Sequence, residues 1–174
     1  MTTPTFTIRP ANVNDLGEIM DIDNQANLPF SEDEWAISYD DVHSRIIVAD
    51  DNDGCLIGFI VYGERTADFE TMTILNIGVH HRWTENGVGT ALVGQILSKL
   101  HINTCTIADV YVHTEDFPLL NFFKSHGFGA EGQETVCRSN QEIQAYKMVH
   151  RLRLSIPRTE IRNRIADHNL GPLI

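Results

Sequence analysis

Apolar positions recur along this chain at two spacings, every second residue and every fourth. Phe6-Thr7-Ile8-Arg9 alternates apolar and polar side chains, as a strand with one buried face does. Asn12, three residues before Asp15, predicts the N-cap of a helix with Leu16, Ile19 and Met20 on one face. Ser31-Glu32-Asp33-Glu34 has capping-box spacing, so a second helix is expected to begin there and to carry Trp35. Residues 45–49 and 55–62 are β-rich runs around the turn Asn52-Asp53-Gly54, the pattern of an antiparallel hairpin. A third consecutive strand is expected over residues 72–79. Val88, Leu92, Ile96 and Leu100 then form an i+4 ladder, which is one face of a helix.

Residues 106–112 form another short β-like run. It leads to a Leu- and Phe-rich helix over residues 117–125, closed by Gly127. Two closing strands are expected near residues 134–137 and 145–152. The order β-α-α-β-β-β-α-β-α-β-β predicts an α/β (α+β) fold, a mixed sheet covered by helices. Residues 153–174 read as an appendage in which Ser155 caps a short helix holding Ile161 and Ile165, ended by Gly171-Pro172.

Composition narrows the class. At 174 residues, 42% apolar and 21% charged, the chain has the size and balance of one globular domain. No apolar run reaches the length of a membrane span, and no cationic segment is followed by an apolar stretch near Met1, so neither a span nor a secretory signal is expected. Cys55, Cys105 and Cys137 are odd in number and far apart, which fits reduced thiols in a cytoplasmic protein better than a disulfide framework or a zinc site. The net charge is −11: residues 1–149 carry −14 and residues 150–174 carry +3. Between Asp15 and Asp53 stand twelve acids and one base, Arg45. Such a field repels nucleic acid and favours a cationic partner such as an amine or basic peptide; it also serves solubility.

The chemistry concentrates after the third consecutive strand, in Val79-His80-His81-Arg82-Trp83-Thr84-Glu85-Asn86-Gly87-Val88-Gly89-Thr90. A strand runs through a polar loop into a helix that begins with paired glycines. The N–H groups of a helix's first turn carry no intrahelical partner and a partial positive charge, so they suit an anion. Gly87 and Gly89 let a phosphate approach the backbone. The alternative is a tight turn that holds no ligand. A P-loop needs Gly-Lys-Ser/Thr where the chain has Gly89-Thr90-Ala91, and a dinucleotide fingerprint needs glycine at Leu92.

At these residues the chain resembles the GNAT superfamily of N-acetyltransferases, whose hallmark is Gln/Arg-x-x-Gly-x-Gly/Ala at a helix start. Thr84-Glu85-Asn86-Gly87-Val88-Gly89 has that spacing. The similarity runs over residues 5–150 in element order, with Ile8-Arg9-Pro10, Asp15-Leu16 and a second motif from Asp116 to Phe128. Within the superfamily it looks most similar to the ribosomal-protein alanine N-acetyltransferases, through Leu28-Pro29-Phe30-Ser31-Glu32 and Asn76-Ile77-Gly78-Val79.

The resemblance implies a transferase domain over residues 1–152 and a basic extension over 153–174. Its sheet would be mostly antiparallel, of six to seven strands flanked by about four helices, and splayed near Val79 and Val110. The co-substrate implied is acetyl-CoA, with no metal. Acetyl would pass to a primary amine (a protein N-terminus, a peptide or a small amine) by direct attack in a ternary complex. Ile77, Gly78 and Val79 would accompany the pantetheine arm. Thr84, Glu85, Asn86, Gly87, Val88, Gly89 and Thr90 would hold the pyrophosphate, with Asp116 close to the cofactor. A monomer or homodimer without nucleic-acid or membrane partners is expected.

Four positions depart from the family pattern. Thr84 replaces Gln/Arg, with Arg82 nearby as a substitute; Asp116 stands for Asn, Phe123 for a proton-donating Tyr, and Tyr111 for a basic Glu. Acetyl transfer needs a neutral amine and a stabilised thiolate, so the acid–base roles fall by expectation on Glu70 as base and Tyr111 as acid. His80, His81 and His113 also titrate in the useful range. As metal ligands they are poor, because neighbours on an extended segment point apart and no Cys or Asp completes a site. The same departures leave a second reading open, a degenerate acyl-CoA-binding sensor without proton chemistry.

Overall fold

The computed structural model describes residues 5–26, 28–40, 44–64, 70–100 and 105–152. The predicted extension over 153–174 lies outside the described residues. The elements follow the expected order: β1 (Phe6–Pro10), α1 (Leu16–Asp23), α2 (Glu32–Asp40), β2 (Ser44–Asp51), β3 (Leu56–Glu64), β4 (Thr71–Val79), α3 (Val88–Lys99), β5 (Ile107–His113), α4 (Phe117–Ser125), β6 (Gly129–Arg138) and β7 (Gln141–Arg151). Short 3₁₀ turns precede α1 (Val13–Asp15) and α3 (His81–Trp83). Among the described residues no helix is long and apolar enough to cross a membrane.

The local signals act as read. Ser31 donates its backbone N–H to Glu34 Oε2 (2.7 Å) while the Glu34 N–H reaches Ser31 Oγ (3.3 Å), which closes a capping box at the start of α2. Asn12 caps the first 3₁₀ turn through the Asn14 N–H. Gly54, at φ +81°, closes the β2–β3 hairpin. The last hairpin is longer than expected. Ser139 and Asn140 both take positive φ, the two-residue turn whose twist matches antiparallel strands, and it extends β6 to Arg138 and opens β7 at Gln141.

The seven strands form one sheet in the order β1-β2-β3-β4-β5-β7-β6, antiparallel except where β5 lies parallel to β4. The β4–α3–β5 crossover supplies that exception, since a parallel neighbour cannot be reached by a tight turn. Two cores result. On one face Val88, Leu92, Ile96 and Leu100, each at most 1% exposed, join Ile60, Met72, Val110 and Phe123. On the other, Ile19, Ile22 and Trp35 of α1 and α2 pack on Val48, Phe59 and Val61. Gly58 sets the first contact, because a Cβ there would stand 2.9 Å from Val88 Cγ1.

Arg9 ties the chain's opening together. Its guanidinium donates to both oxygens of Asp15 (2.7 and 2.9 Å) and to Asp50 of β2, while Asp15 also accepts the Asn12 N–H (2.6 Å). The Arg9 hydrogen bonds hold the Asp15 carboxyl below the ordinary carboxylate range, against the opposing effect of burial. Asp15→Asn is expected to lower stability by about 1.5–3 kcal/mol at pH 7, read as a shift in the urea midpoint. The folded pKa lies below the unfolded value of about 3.9, so the ionised group's contribution is complete above that value and is lost as pH falls through the folded one. The difference between wild type and variant therefore closes in acid; a gap independent of pH would exclude the ion pair as its source.

Candidate active site

The site begins with a strand pair that stops pairing. β4 and β5 are in register only from Thr71↔Ile107 to Ile74↔Val110, yet β4 continues to Val79 and β5 to His113. The register between β3 and β4 jumps at the same point, from Tyr62↔Ile74 to Val61↔Asn76, so Leu75 is the extra residue of a β-bulge. A bulge bends its strand and increases the local twist, and β4 leaves β5 there. His80 still donates its N–H to Ile57 O of β3 (2.9 Å). Alternate residues turn their backbone groups to opposite edges of a strand, so Val79 and Ile77 turn theirs to the open edge.

A cavity of about 870 Å³ occupies the divergence. Ile74, Leu75, Asn76 and Ile77 line one side and Val110, Tyr111, Val112 and His113 the other. Phe123 and Leu119 of α4 lie along it, as do Phe30 before α2 and Arg138 at the end of β6.

At its far end β4 passes through the His81–Trp83 turn into α3. Glu85 (φ +65°) and Gly87 (φ +81°) both take left-handed backbone, and the helix's first i→i−4 bond is Ala91 N–H to Gly87 O (3.0 Å). The Val88, Gly89 and Thr90 amides precede that bond, at the positive end of the helix. The two glycines differ. Gly87 satisfies a backbone that other residues adopt at a cost, with open space around it. At Gly89 a Cβ would stand 3.3 Å from the Phe122 ring.

The other predicted site residues divide clearly. Thr84 donates its hydroxyl to His81 O (2.8 Å), and Asn86 donates its amide to Thr84 O (3.1 Å), so both side chains brace the loop. Gly78 faces away from solvent, where a Cβ would meet a Phe59 ring carbon at 2.5 Å. Asp116 is the N-cap of α4, its Oδ1 accepting the Leu119 N–H (3.1 Å). Thr90 Oγ1 lies 3.2 Å from His126 Nε2, and the His126 ring lies 4.4 Å from that of Phe122. Phe123 is wholly buried.

Tyr111 reaches the cavity and donates its hydroxyl to Glu134 Oε2 of β6 (3.3 Å). Glu70 is placed apart. It precedes β4 at the end where β4 and β5 remain paired, and its carbonyl accepts the Thr106 and Ile107 N–H groups. Seven strand residues, roughly 23 Å, separate it from Ile77. His80 accepts the Arg82 N–H (3.3 Å) at Nδ1; burial, then the neighbouring His81 and Arg82, push its pKa down. His81 lies 3.0 Å from Gln25 Oε1 through Nδ1, and His113 accepts the Glu115 N–H. All three histidines hold local structure. Among the described residues no group of three or more His, Cys, Asp or Glu could hold a metal ion.

Two further residues escaped the sequence reading. Glu134 carried no signal beyond lying on a strand. Arg138 donates Nη1 to Leu75 O (2.9 Å), Nη2 to Asn76 Oδ1 (2.9 Å) and Nε to Leu28 O (3.3 Å), and its guanidinium stacks 4.0 Å from the centre of the Phe30 ring. Asn76 in turn donates to the buried Asp23 carboxylate (3.0 Å), which also accepts the Trp35 indole N–H (3.0 Å) and the Phe30 N–H (2.8 Å). Partners 62, 63 and 110 residues away leave no spacing to detect.

A splayed mixed sheet with a glycine-containing loop at a helix start defines a class, and the sequence comparison agrees. The model of the Acetyltransferase (GNAT) family matches residues 16–128, and the chain belongs to that family. No curated protein sequence matches it. Solved structures share the fold at low identity. The ribosomal-protein-S18-alanine N-acetyltransferase of Escherichia coli is 18% identical with a TM-score of 0.74, over 88% of this chain and 98% of that one. Ard1 from Thermoplasma volcanium is 21% identical with a TM-score of 0.73, over 84% and 97%. Arabidopsis thaliana NAA60, solved in complex with acetyl-CoA, is 17% identical with a TM-score of 0.71, over 84% and 98%.

The contrast between glycines is testable by melting. Gly78→Ala is expected to cost about 1–3 kcal/mol, because the methyl group must displace the Phe59 ring. Gly89→Ala, whose methyl meets only the edge of a half-buried ring, is expected to melt within a few degrees of wild type. Equal melting temperatures for the two would contradict the packing described.

Proposed function

We propose that the chain is an acetyl-CoA-dependent N-acetyltransferase that moves acetyl to a primary amine by direct attack in a ternary complex. The observation that carries this reading is the continuity of two binding features. The open backbone edge at Ile77 and Val79 leads directly into the helix start at Val88, Gly89 and Thr90. An extended amide-containing arm pairs with the first as an added strand does, and its pyrophosphate meets the second. Acetyl-CoA has those parts in that order. Family membership and the acetyl-CoA complex of the Arabidopsis NAA60 structure support the same co-substrate.

In the reaction the amine nitrogen attacks the thioester carbonyl, a C–N bond forms, the C–S bond breaks, and one proton passes in net from amine to sulfur. The proposal places that transfer on Tyr111 and Glu134. The Tyr111 hydroxyl supplies the proton to the departing thiolate, and the Glu134 carboxylate, hydrogen-bonded to it, receives the proton released by the amine. Glu70 precedes β4 at its paired end and is given no part in this step. Phe123 and Thr84, fully engaged in core and loop, contribute packing.

Calorimetry with acetyl-CoA and free-thiol release over a panel of peptides, polyamines, amino acids and aminoglycosides test the reading. Wild type is expected to bind acetyl-CoA, and Gly89→Asp, which sets a negative side chain against the proposed pyrophosphate, is expected to abolish binding while the protein still folds. Tyr111→Phe and Glu134→Gln are each expected to lower kcat by about 10²-fold, the lower end of proton-transfer catalysis. Wild-type affinity in Gly89→Asp would remove the pyrophosphate assignment. Binding without thiol release across the whole panel would leave an acyl-CoA-binding module instead.

A further inference from the structure

Arg138 sits where three parts of the chain meet, and no part of the proposed chemistry uses it. Its fork of N–H groups is divided between the carbonyl of Leu75, the side chain of Asn76 and the carbonyl of Leu28. Leu75 is the bulged residue at which β4 departs from β5. Asn76 is the first residue of the freed segment. Leu28 belongs to the link between α1 and α2, and the next residue of the hairpin fastens the same link. Ser139 donates its N–H to Glu34 Oε2 (2.9 Å) and its hydroxyl to Pro29 O.

The charges are arranged unusually. Arg138 touches no carboxylate in this cluster; its acceptors are neutral. Asn76 stands between it and the buried Asp23, accepting from the cation through Oδ1 and donating to the anion through Nδ2. One amide therefore links a guanidinium to a carboxylate and is held at both ends. An amide held in this way cannot flip without placing like dipoles against both charges. Burial weakens the guanidinium's hold on its proton, with Asp23 and Glu34 acting the other way, but an arginine remains protonated at any working pH.

We infer that Arg138 is a positioning residue, which locks the α1–α2 link and the β6–β7 hairpin onto the freed edge of β4 and so sets the cavity wall opposite Tyr111. This rests on the transferase reading for its catalytic meaning, since the wall faces the place where the acceptor amine must lie. The geometry also says why arginine is needed. A lysine ammonium is a point donor and cannot reach a bulge carbonyl, a side-chain amide and a second carbonyl from one plane while stacking on Phe30.

Three variants decide it, with acetyl-CoA as donor and spermidine or a short Ala-initiated peptide as acceptor. In Arg138→Met the acceptor KM is expected to rise about tenfold or more while the acetyl-CoA Kd, by calorimetry, stays within about threefold. Arg138→Lys is expected to behave as Arg138→Met does. In Arg138→Ala, millimolar guanidinium is expected to restore the acceptor KM in part, and methylammonium is not. Exchange of the Asn76 and Gly78 amides, which face β3, is expected to quicken about tenfold in Arg138→Ala and to slow again with guanidinium. Unchanged KM and exchange in Arg138→Met would overturn the inference. So would a parallel loss of acetyl-CoA affinity and melting temperature without guanidinium rescue, which is the mark of general unfolding. If wild type acetylates neither acceptor, the transferase reading is the one in difficulty. Exchange and its rescue by guanidinium then decide the lock alone, supporting it if both occur and overturning it otherwise.

Discussion

The molecule is organised around the end of one parallel strand pair. β4 and β5 share only four registered positions before the Leu75 bulge turns β4 aside. Backbone N–H and C=O groups must find partners, so a strand that leaves its neighbour in mid-sheet presents groups that a ligand can take. Everything that keeps the gap from closing supports this. α3 is anchored on one side by the Val88 contact over Gly58, α4 lies along the gap with Phe123 fully buried, and Arg138 satisfies the bulge carbonyl from the other side. A sheet that closed would regain hydrogen bonds but lose those three attachments. The opening is stable because different elements, each with its own core contacts, hold its two lips.

The same economy governs the loop. Of the glycines at the site, Gly78 is required by the Phe59 ring and Gly87 by a left-handed backbone, so each has a structural reason that would exist without any ligand. Thr84 and Asn86 spend their polar groups bracing the turn. The anion-binding role proposed for the loop rests on what remains, the amides of the helix start. In that proposal the site belongs to backbone geometry and does not depend on a Gln or Arg side chain at Thr84.

Much of this was legible in the sequence, and the rest was hidden for identifiable reasons. Element order, the α3 ladder and both capping signals are local: they depend on residues three or four apart, and the structure follows them. The β6–β7 hairpin was read short because its turn is Ser139-Asn140, two residues that accept positive φ without the glycine that announces such turns. Tyr111 is placed beside the splay by the family resemblance, which implies a divergence near Val79 and Val110, and the structure has it lining the cavity there. Glu70 reads as standing just before β4, and the structure has it there; its distance from the open edge is not legible, because the sequence does not say where along two strands the pairing stops. Arg138 comes to the cavity, and Glu134 to Tyr111, through a strand that is distant along the chain. Asp116, a cofactor neighbour by its motif, lines the cavity while its carboxylate caps α4.

The acidic run between Asp15 and Asp53 admitted two explanations, attraction of a cation and plain solubility, and the structure adds a third. Asp15 grips Arg9, Asp50 does the same from β2, Glu18 accepts the Leu56 N–H, and Asp51 accepts two amides of the hairpin turn. Asp23 gathers Trp35, Phe30 and Asn76, and Glu34 gathers Ser31 and Ser139. Half of the twelve acids thus hold the fold by accepting hydrogen bonds, mostly from neutral donors. A hydrogen bond from a neutral donor leaves a carboxylate's field uncompensated, whereas an ion pair offsets it. Stitching this half of the molecule with carboxylates therefore concentrates negative charge on the side where the α1–α2 link and α2 border the cavity. Structural and electrostatic roles need not compete here, because a hydrogen bond from a neutral donor adds no positive charge beside the carboxylate.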